Sequence, residues 1–398
     1  MKTESWDLII IGGGASGMAA AIAAKETAPG LQVAVLEKKE ALGKKLRATG
    51  NGRCNLTNTA LETAADTIAF FEGLGMPTRT DDAGRVYPFS ESAPGVTEAL
   101  SQTLSDLGVT VILEAPVKAV TVKAEGFKLK TSQGSFRSRA LLLATGGKAG
   151  PAYGCTGDGY GLAQSLGHQV TKPLPVLTGI CCAGDFKRLK GVRVKGRLSL
   201  TCGGETVFFE DGEIQFTDYG ISGICAFNLS RYLKYQGEAR LEPYAILLDL
   251  APERNFTPLF EAWQKNPVLA DSPVAVFLGR MVKRPLAALI AETAAVSETC
   301  RLAGLTSAAI AALDRALHRI VLKPTGTMGF KMAQCTAGGI VCDEVDFETM
   351  ASKIVPGLYF AGELLDYDGP CGGYNLDHAF TTGRRAGAAA ARALLQGE

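Results

Sequence analysis

Gly12, Gly14 and Gly17, with Ala15 and Ser16 between the last two, stand directly after the apolar run Asp7-Leu8-Ile9-Ile10-Ile11. An acid, Glu37, closes a second apolar run, Val33-Ala34-Val35-Leu36, at about 20 residues beyond the glycines. These residue types at this spacing suit a dinucleotide. Gly12 permits a tight turn, Gly14 lets backbone approach a pyrophosphate, and Gly17 lets a helix pack closely on a sheet. The free N–H groups at the start of that helix favour phosphate charge. The Glu37 carboxylate accepts from ribose hydroxyls, with Lys38 beside it.

The adenosine half is common to NAD and FAD, so other segments must separate them. Arg47-Ala48-Thr49-Gly50-Asn51-Gly52-Arg53-Cys54-Asn55 opens a glycine- and polar-rich segment that runs to Asn58. A loop of that composition has many backbone donors to lay along a pyrophosphate or a flavin edge. Ala140 to Thr145 reads as a buried parallel strand, turning at Thr145-Gly146-Gly147. Near the C-terminus, Gly357 to Glu363 reads as a strand ending in an acid, with Gly362 before it. Gly372-Gly373-Tyr374-Asn375-Leu376 then precedes an alanine-rich helix from about Asp377 to Leu395. The start of that helix favours negative charge on the pyrimidine end of a reduced flavin. These features select FAD.

Together these segments resemble the HI0933-like, BaiN-like family of FAD-dependent oxidoreductases. The residues carrying the resemblance are the N-terminal glycines, 47–58, 141–147, Cys335 to Ile340 and 358–383. The resemblance implies a discontinuous FAD-binding domain and a ribityl contact at the Glu363 position, where relatives more often carry Asp. It places Val117 with the cofactor-binding positions named above. Gly154 to Gly159 is similar to a loop of the fumarate reductase group, which reduces activated double bonds. Steroid or bile-acid enones are one substrate class the resemblance implies.

The elements that must position these residues follow from hydrophobic periodicity. The fold class is α/β: residues 1–175 and 340–398 form an interrupted Rossmann-like domain. Ser92 to Leu107 reads as a helix and Val109 to Leu113 as a strand. Val117 to Val122, Phe127 to Thr131 and Ser135 to Arg137 read as a small meander. Residues 176–254 with 323–339 read as a β-rich, barrel-like insertion. Residues 255–322 read as a helical cap, with apolar residues at three-to-four spacing in Ala275 to Leu278, Leu286 to Ala291 and Ala308 to Ile320. The inserted parts are expected to cover the flavin and form the substrate pocket.

The chain of 398 residues carries 41 basic and 40 acidic residues, a net of +1. No basic block marks nucleic acid or an anionic membrane as a partner, and no apolar run reaches membrane-spanning length. The ten cysteines form no CxxC pair, and only His168, His318 and His378 accompany them, so no metal site is expected. Scattered reduced thiols and the absence of a signal-peptide pattern point to the cytoplasm. Oligomeric state has no signature in the sequence.

A second complete glycine fingerprint is missing. NADH or NADPH is therefore expected to act as a transient reductant in a ping-pong scheme. The favoured reaction is reduction of a C=C bond conjugated to a carbonyl in a small, steroid-like molecule. Tyr374 and Arg53 are the candidate donors, with Tyr153 and Lys331 behind them. Two alternatives stand beside it: an oxygen-using amine or amino-ketone oxidase, and a flavin-binding RNA-modification or adaptor protein.

Overall fold

The computed structural model describes residues 4–233 and 241–397. The chain divides into two units, Met1–Val176 with Phe330–Glu398, and Leu177–Gly329.

The first unit is built on five parallel strands in the order Leu358–Phe360, Ser135–Leu143, Glu4–Ile11, Val33–Leu36 and Thr110–Ile112. Leu8 lies between Val33 on one side and Ala140 on the other, and Leu141 continues the register to Leu358. Strands covered on both faces need apolar residues at every position rather than alternation. Leu8, Ile9, Ile10, Ala34, Val35, Leu141, Leu142 and Leu143 are fully enclosed accordingly. Ser135 to Arg137 and Ala140 to Leu143, read from sequence as two strands, form one. Its first half pairs antiparallel with Gly126–Thr131, and nearly its whole length pairs parallel with the first strand. The polar alternation at 135–139 belongs to its half-solvated end, where the meander ladder takes over.

The first helix, Ala15–Thr27, and the C-terminal helix, Tyr374–Gln396, cross against each other through small residues. A Cβ on Gly383 would stand 2.3 Å from the Ser16 carbonyl oxygen, and one on Gly387 would stand 2.0 Å from that of Ala20. The alanines and glycines of both helices exist to permit that approach. The helix read as Ser92 to Leu107 spans Ala93–Asp106, with the Ser92 hydroxyl accepting from the Gly95 N–H as its N-cap.

Residues 330–339 pack with the first unit rather than with the β-rich insertion to which the sequence reading assigned them. Cys335–Ala337 pairs antiparallel with Leu174–Val176, and Ile340 bridges to Val170 and Leu365. Short strands of three residues carry too little pattern to reveal such a partner.

The second unit holds a seven-stranded antiparallel sheet whose outermost strands, Ile320–Leu322 and Pro324–Thr327, are joined by Lys323 alone. A one-residue link between the two ends of the strand order requires the sheet to curl in barrel fashion. The helices Thr257–Lys265, Val274–Met281, Arg284–Thr293 and Ser307–His318 are not a separate cap unit. Phe260, Phe277, Leu286 and Leu313 share one core with Leu198, Ile214 and Ile246 of the sheet. The last of these helices ends at His318, whose Nδ1 lies 2.9 Å from Asp249, and Ile320 opens a strand.

Candidate functional site

Four loops gather at the carboxyl ends of adjacent parallel strands: Gly12–Gly14, Glu37–Lys39, Thr145–Gly146 and Gly362–Glu363. In open α/β sheets that edge is where ligands lie. Gly12 has φ +107°, and a Cβ there would stand 2.4 Å from the Ala144 carbonyl oxygen. A Cβ on Gly17 would lie 1.9 Å from the Gly12 carbonyl oxygen, so helix and turn meet backbone to backbone. Gly14 is different. Nothing stands within 4 Å of where its Cβ would be, which leaves the approach to the helix N-terminus open. Ser16 is buried under Gly362, whose Cβ would stand 2.6 Å from the Ser16 hydroxyl. Ala15 opens the helix beside it.

The Glu37 carboxylate is preset. Its oxygens accept from the Gly13 N–H and the Lys39 N–H, each at 2.8 Å, leaving further lone pairs for a diol. The Ala115 N–H donates to the Glu37 carbonyl at 2.9 Å, which brings the strand beginning at Val117 alongside. Lys38 reaches the other way, to Thr156 at 2.6 Å and Asp158 at 2.5 Å. Burial opposes charge on Asp158, but these hydrogen bonds outweigh it and hold the carboxyl below its usual range.

The 47–58 segment is not an open loop. It folds as a 3-10 turn over Leu46–Gly52, with Gly50 and Asn51 left-handed, and ends in the short strand Thr57–Asn58. The Thr49 hydroxyl donates to the Leu46 carbonyl at 2.7 Å, and burial pushes the Cys54 thiol up to about 12. Asn58 donates to the Gly372 carbonyl at 3.0 Å. Gly373, at φ +105°, leaves its absent Cβ 2.3 Å from the Thr57 carbonyl oxygen and 2.9 Å from Asn55 Oδ1. Two motifs more than 300 residues apart therefore form one wall. Arg47 is exposed. Arg53 is also exposed, over the Tyr87 ring at 4.8 Å and 3.8 Å from Glu91.

The C-terminal helix begins at Tyr374, three residues before its expected start, with half-buried Tyr374 at its first turn. The Asn375 side chain accepts from the Gly369 N–H at 2.8 Å and donates to the Gly369 carbonyl at 2.9 Å, so it pins the 369–375 loop. Leu376 packs on the core. Glu363 sits on a 3-10 turn rather than at a strand end. Its carboxylate accepts from the Thr336 N–H at 2.8 Å and from Lys45 at 2.6 Å. Burial works against the Lys45 ammonium, and the Glu363 charge overrides it, holding Lys45 above its usual value. Tyr153 and Lys331 are exposed.

Sequence reading missed Lys45, Thr336 and His378. The Thr336 hydroxyl accepts from the Lys148 and Ala149 N–H groups at 2.9 and 3.0 Å, tying Cys335–Ala337 to the 145–149 turn. An acid at position 363 demands a cation, which was the available signal for Lys45. His378 stacks on Tyr367 at 4.0 Å between ring centres, and burial pushes its pKa down to about 4.

Two buried polar atoms of these segments have no protein partner: Thr145 Oγ1 and Asn55 Oδ1. Buried polar atoms normally find partners. Thr145 follows the strand end packed on Gly12, so its unpartnered oxygen fits a polar group held along the edge. Ten free thiols and no cluster of metal-ligating side chains occur among the described residues. No helix among them is long and apolar enough to cross a membrane.

The model of the HI0933-like protein Rossmann domain matches residues 6–65 and 61–389. A 3-dehydro-bile acid delta(4,6)-reductase of Clostridium scindens is 36% identical, covering 96% of this chain and 98% of its own length. Ribosomal RNA dihydrouridine synthases of Haemophilus influenzae and Escherichia coli are 27% and 28% identical, covering 94% and 95% of this chain and 96% of each relative. Among solved structures, 3-ketosteroid delta1-dehydrogenase of Sterolibacterium denitrificans shares the fold at TM-score 0.52 and 13% identity, covering 98% of this chain and 100% of that one. The 3-ketosteroid-delta4-(5alpha)-dehydrogenase of Rhodococcus jostii does so at 0.51 and 16%, covering 98% of this chain and 97% of that one.

Proposed function

The chain belongs to the HI0933-like family, and from that premise we propose that it is an FAD-dependent reductase of carbon–carbon double bonds conjugated to a carbonyl. One observation carries the reading. The bile-acid reductase and the dihydrouridine synthases, named for different substrates, name the same chemical change. A dienone and the C5=C6 bond of uracil each have a double bond polarised by a carbonyl. Each takes a hydride at the far carbon and a proton at the near one.

When bound, FAD supplies the hydride. The protein's residues do the rest. The backbone at Gly12, Gly14 and Gly17 with Ala15 and Ser16 receives the pyrophosphate, and the Glu37 carboxylate receives the adenosine ribose. Lys38 and Val117 flank that end. Thr145, Gly146, Gly362 and the 47–55 segment line the remainder, and the Gly373–Leu376 turn presents helix N–H groups where negative charge develops. Glu363 is already engaged by Lys45 and Thr336, so a ribityl contact uses its remaining lone pairs. Tyr374 or Arg53 donates to the substrate carbonyl, which makes the far carbon electrophilic. NADH or NADPH serves as transient reductant, because the chain has one glycine fingerprint.

A small steroid-like enone is the favoured substrate, supported by the higher identity to the bile-acid reductase. Uridine in ribosomal RNA is the second reading, favoured by the two synthases. The test is an anaerobic visible spectrum with NADH or NADPH, followed by a 3-oxo-Δ4 steroid or a uridine-containing ribosomal RNA fragment. The expected result is flavin bands that bleach with nicotinamide and return with one acceptor. Return only on admitting air refutes the reductase reading, and absence of flavin bands after reconstitution with FAD refutes the cofactor.

A further inference from the structure

The second unit contains an open cavity of about 430 Å³ lined by Arg193, Val194, Lys195, Leu250 and the turn Gly279–Lys283. Four of its lining residues are cationic: Arg193, Lys195, Arg280 and Lys283. They come from two places far apart in the chain. Arg193 and Lys195 lie two apart on the strand Arg193–Cys202, where alternation puts them on one face. Arg280 lies in the last turn of the helix Val274–Met281, and Lys283 is the N-cap of Arg284–Thr293. Each pair lies in a local basic stretch, Lys187 to Arg197 and Arg280 to Arg284, and only the fold brings the two stretches to one cavity.

The acids of the neighbouring strand are already engaged by arginines. Glu213, opposite Lys195 in register, gives its carboxylate to Arg193 at 3.4 Å. Asp211 is taken by Arg197, in two bonds of 2.8 Å. Arg280 lies over the Phe277 ring at 4.8 Å. No salt bridge to Lys195, Arg280 or Lys283 occurs among the described residues. Arg284, exposed beside Lys283, adds a fifth cation at the positive end of a ten-residue helix. Like charges gathered around a concavity repel one another and focus a positive potential into it.

We propose that this cavity is a binding site for phosphate groups, those of an RNA strand or of a nicotinamide dinucleotide. The apolar lining of Met281, Val282 and Leu250 gives a base or ribose somewhere to lie, while the four cations take phosphate oxygens. The choice of these two sources rests on the reading above, while every residue of the site lies in Leu177–Gly329.

The experiment measures fluorescence anisotropy of a short labelled single-stranded RNA with the full-length protein across a salt series. Unlabelled NADPH and inorganic pyrophosphate serve as competitors. The same series is run on Lys195→Glu/Lys283→Glu and on Lys195→Arg/Lys283→Arg. Both positions are exposed, so both variants should keep the wild-type circular dichroism spectrum and flavin content. The expected result is salt-dependent binding, weakened at least tenfold by the glutamates and retained by the arginines. The salt slope should drop by about 1.4, from two lost contacts at about 0.7 each. Tight RNA binding with weak competition by NADPH identifies the strand as the source. RNA binding that NADPH displaces at concentrations where inorganic pyrophosphate does not identifies the dinucleotide. Either confirms a phosphate site. Binding of neither probe at low salt overturns the proposal, as does binding that the glutamate variant leaves unchanged.

Discussion

Lys45 Nζ lies 2.6 Å from Glu363 Oε2, across 318 positions of sequence. Glu363 also accepts from the Thr336 N–H, so one carboxylate ties Lys45, just before the Leu46–Gly52 turn, to the Cys335–Ala337 strand and the C-terminal turn. Both side chains are largely withdrawn from water, at 25% and 17% exposure, and removing one partner strands the other charge. Lys45→Met is therefore expected to lower stability by about 2–3 kcal/mol, short of the full penalty for deep burial. Lys45→Met/Glu363→Gln should recover more than half of that loss in denaturant unfolding. Additive losses would show that the two side chains do not depend on each other.

The glycine turn separates binding from folding. Gly14→Ala has room for its methyl and an ordinary backbone, so the FAD-free variant should melt at the temperature of the FAD-free wild type. It should retain less FAD after gel filtration, because the methyl enters the open approach to the helix. Gly17→Ala puts its methyl 1.9 Å from the Gly12 carbonyl oxygen and should lose soluble expression or several kcal/mol of stability. Equal FAD retention by wild type and Gly14→Ala would place the pyrophosphate elsewhere.

His378 sets a pH dependence whose sign follows from its environment. Burial holds its folded pKa at about 4, against an unfolded value of 6.5, so the unfolded chain takes up this proton first. Its contribution is present in full above about pH 6.5 and is lost as pH falls from there towards 4, by on the order of 3 kcal/mol in all. Stability measured by urea unfolding between these values should fall more steeply in the wild type than in His378→Gln. Parallel curves would mean that His378 does not carry the effect.

Asn375 closes the 369–375 loop with bonds to both backbone groups of Gly369. Asn375→Ala should cost about 1–3 kcal/mol, since buried backbone groups lose their partners. Local amide exchange at Gly369 should accelerate while the first helix stays protected. Uniform acceleration across the unit would show that the loop is not held locally.

The parallel sheet was legible because each strand carries a short apolar run, and the glycine turn after the first strand because glycine types encode steric needs directly. The Leu46–Gly52 turn was less legible, because its left-handed Gly50 and Asn51 sit in a polar stretch with no periodicity. The strand Cys335–Ala337 escaped for the same reason: three buried residues do not define a pattern. The merged strand Ser135–Leu143 was split because its two ends face different surroundings and so follow different periods.

The sequence by itself determined the local pieces: where strands must be buried on both faces, where a turn requires glycine, and which acid follows the second strand. These depend on residue type and on neighbours a few positions away. Only the tertiary structure decided the pairings that cross the chain. Glu363 takes Lys45 rather than standing free, Asn58 takes Gly372, and helices that share a core with the curled sheet are not a separate cap. It also decided that Arg193, Lys195, Arg280 and Lys283 share one cavity. Charge and hydrogen bonding act through space, and the distances they need are set by packing, which no local spacing records.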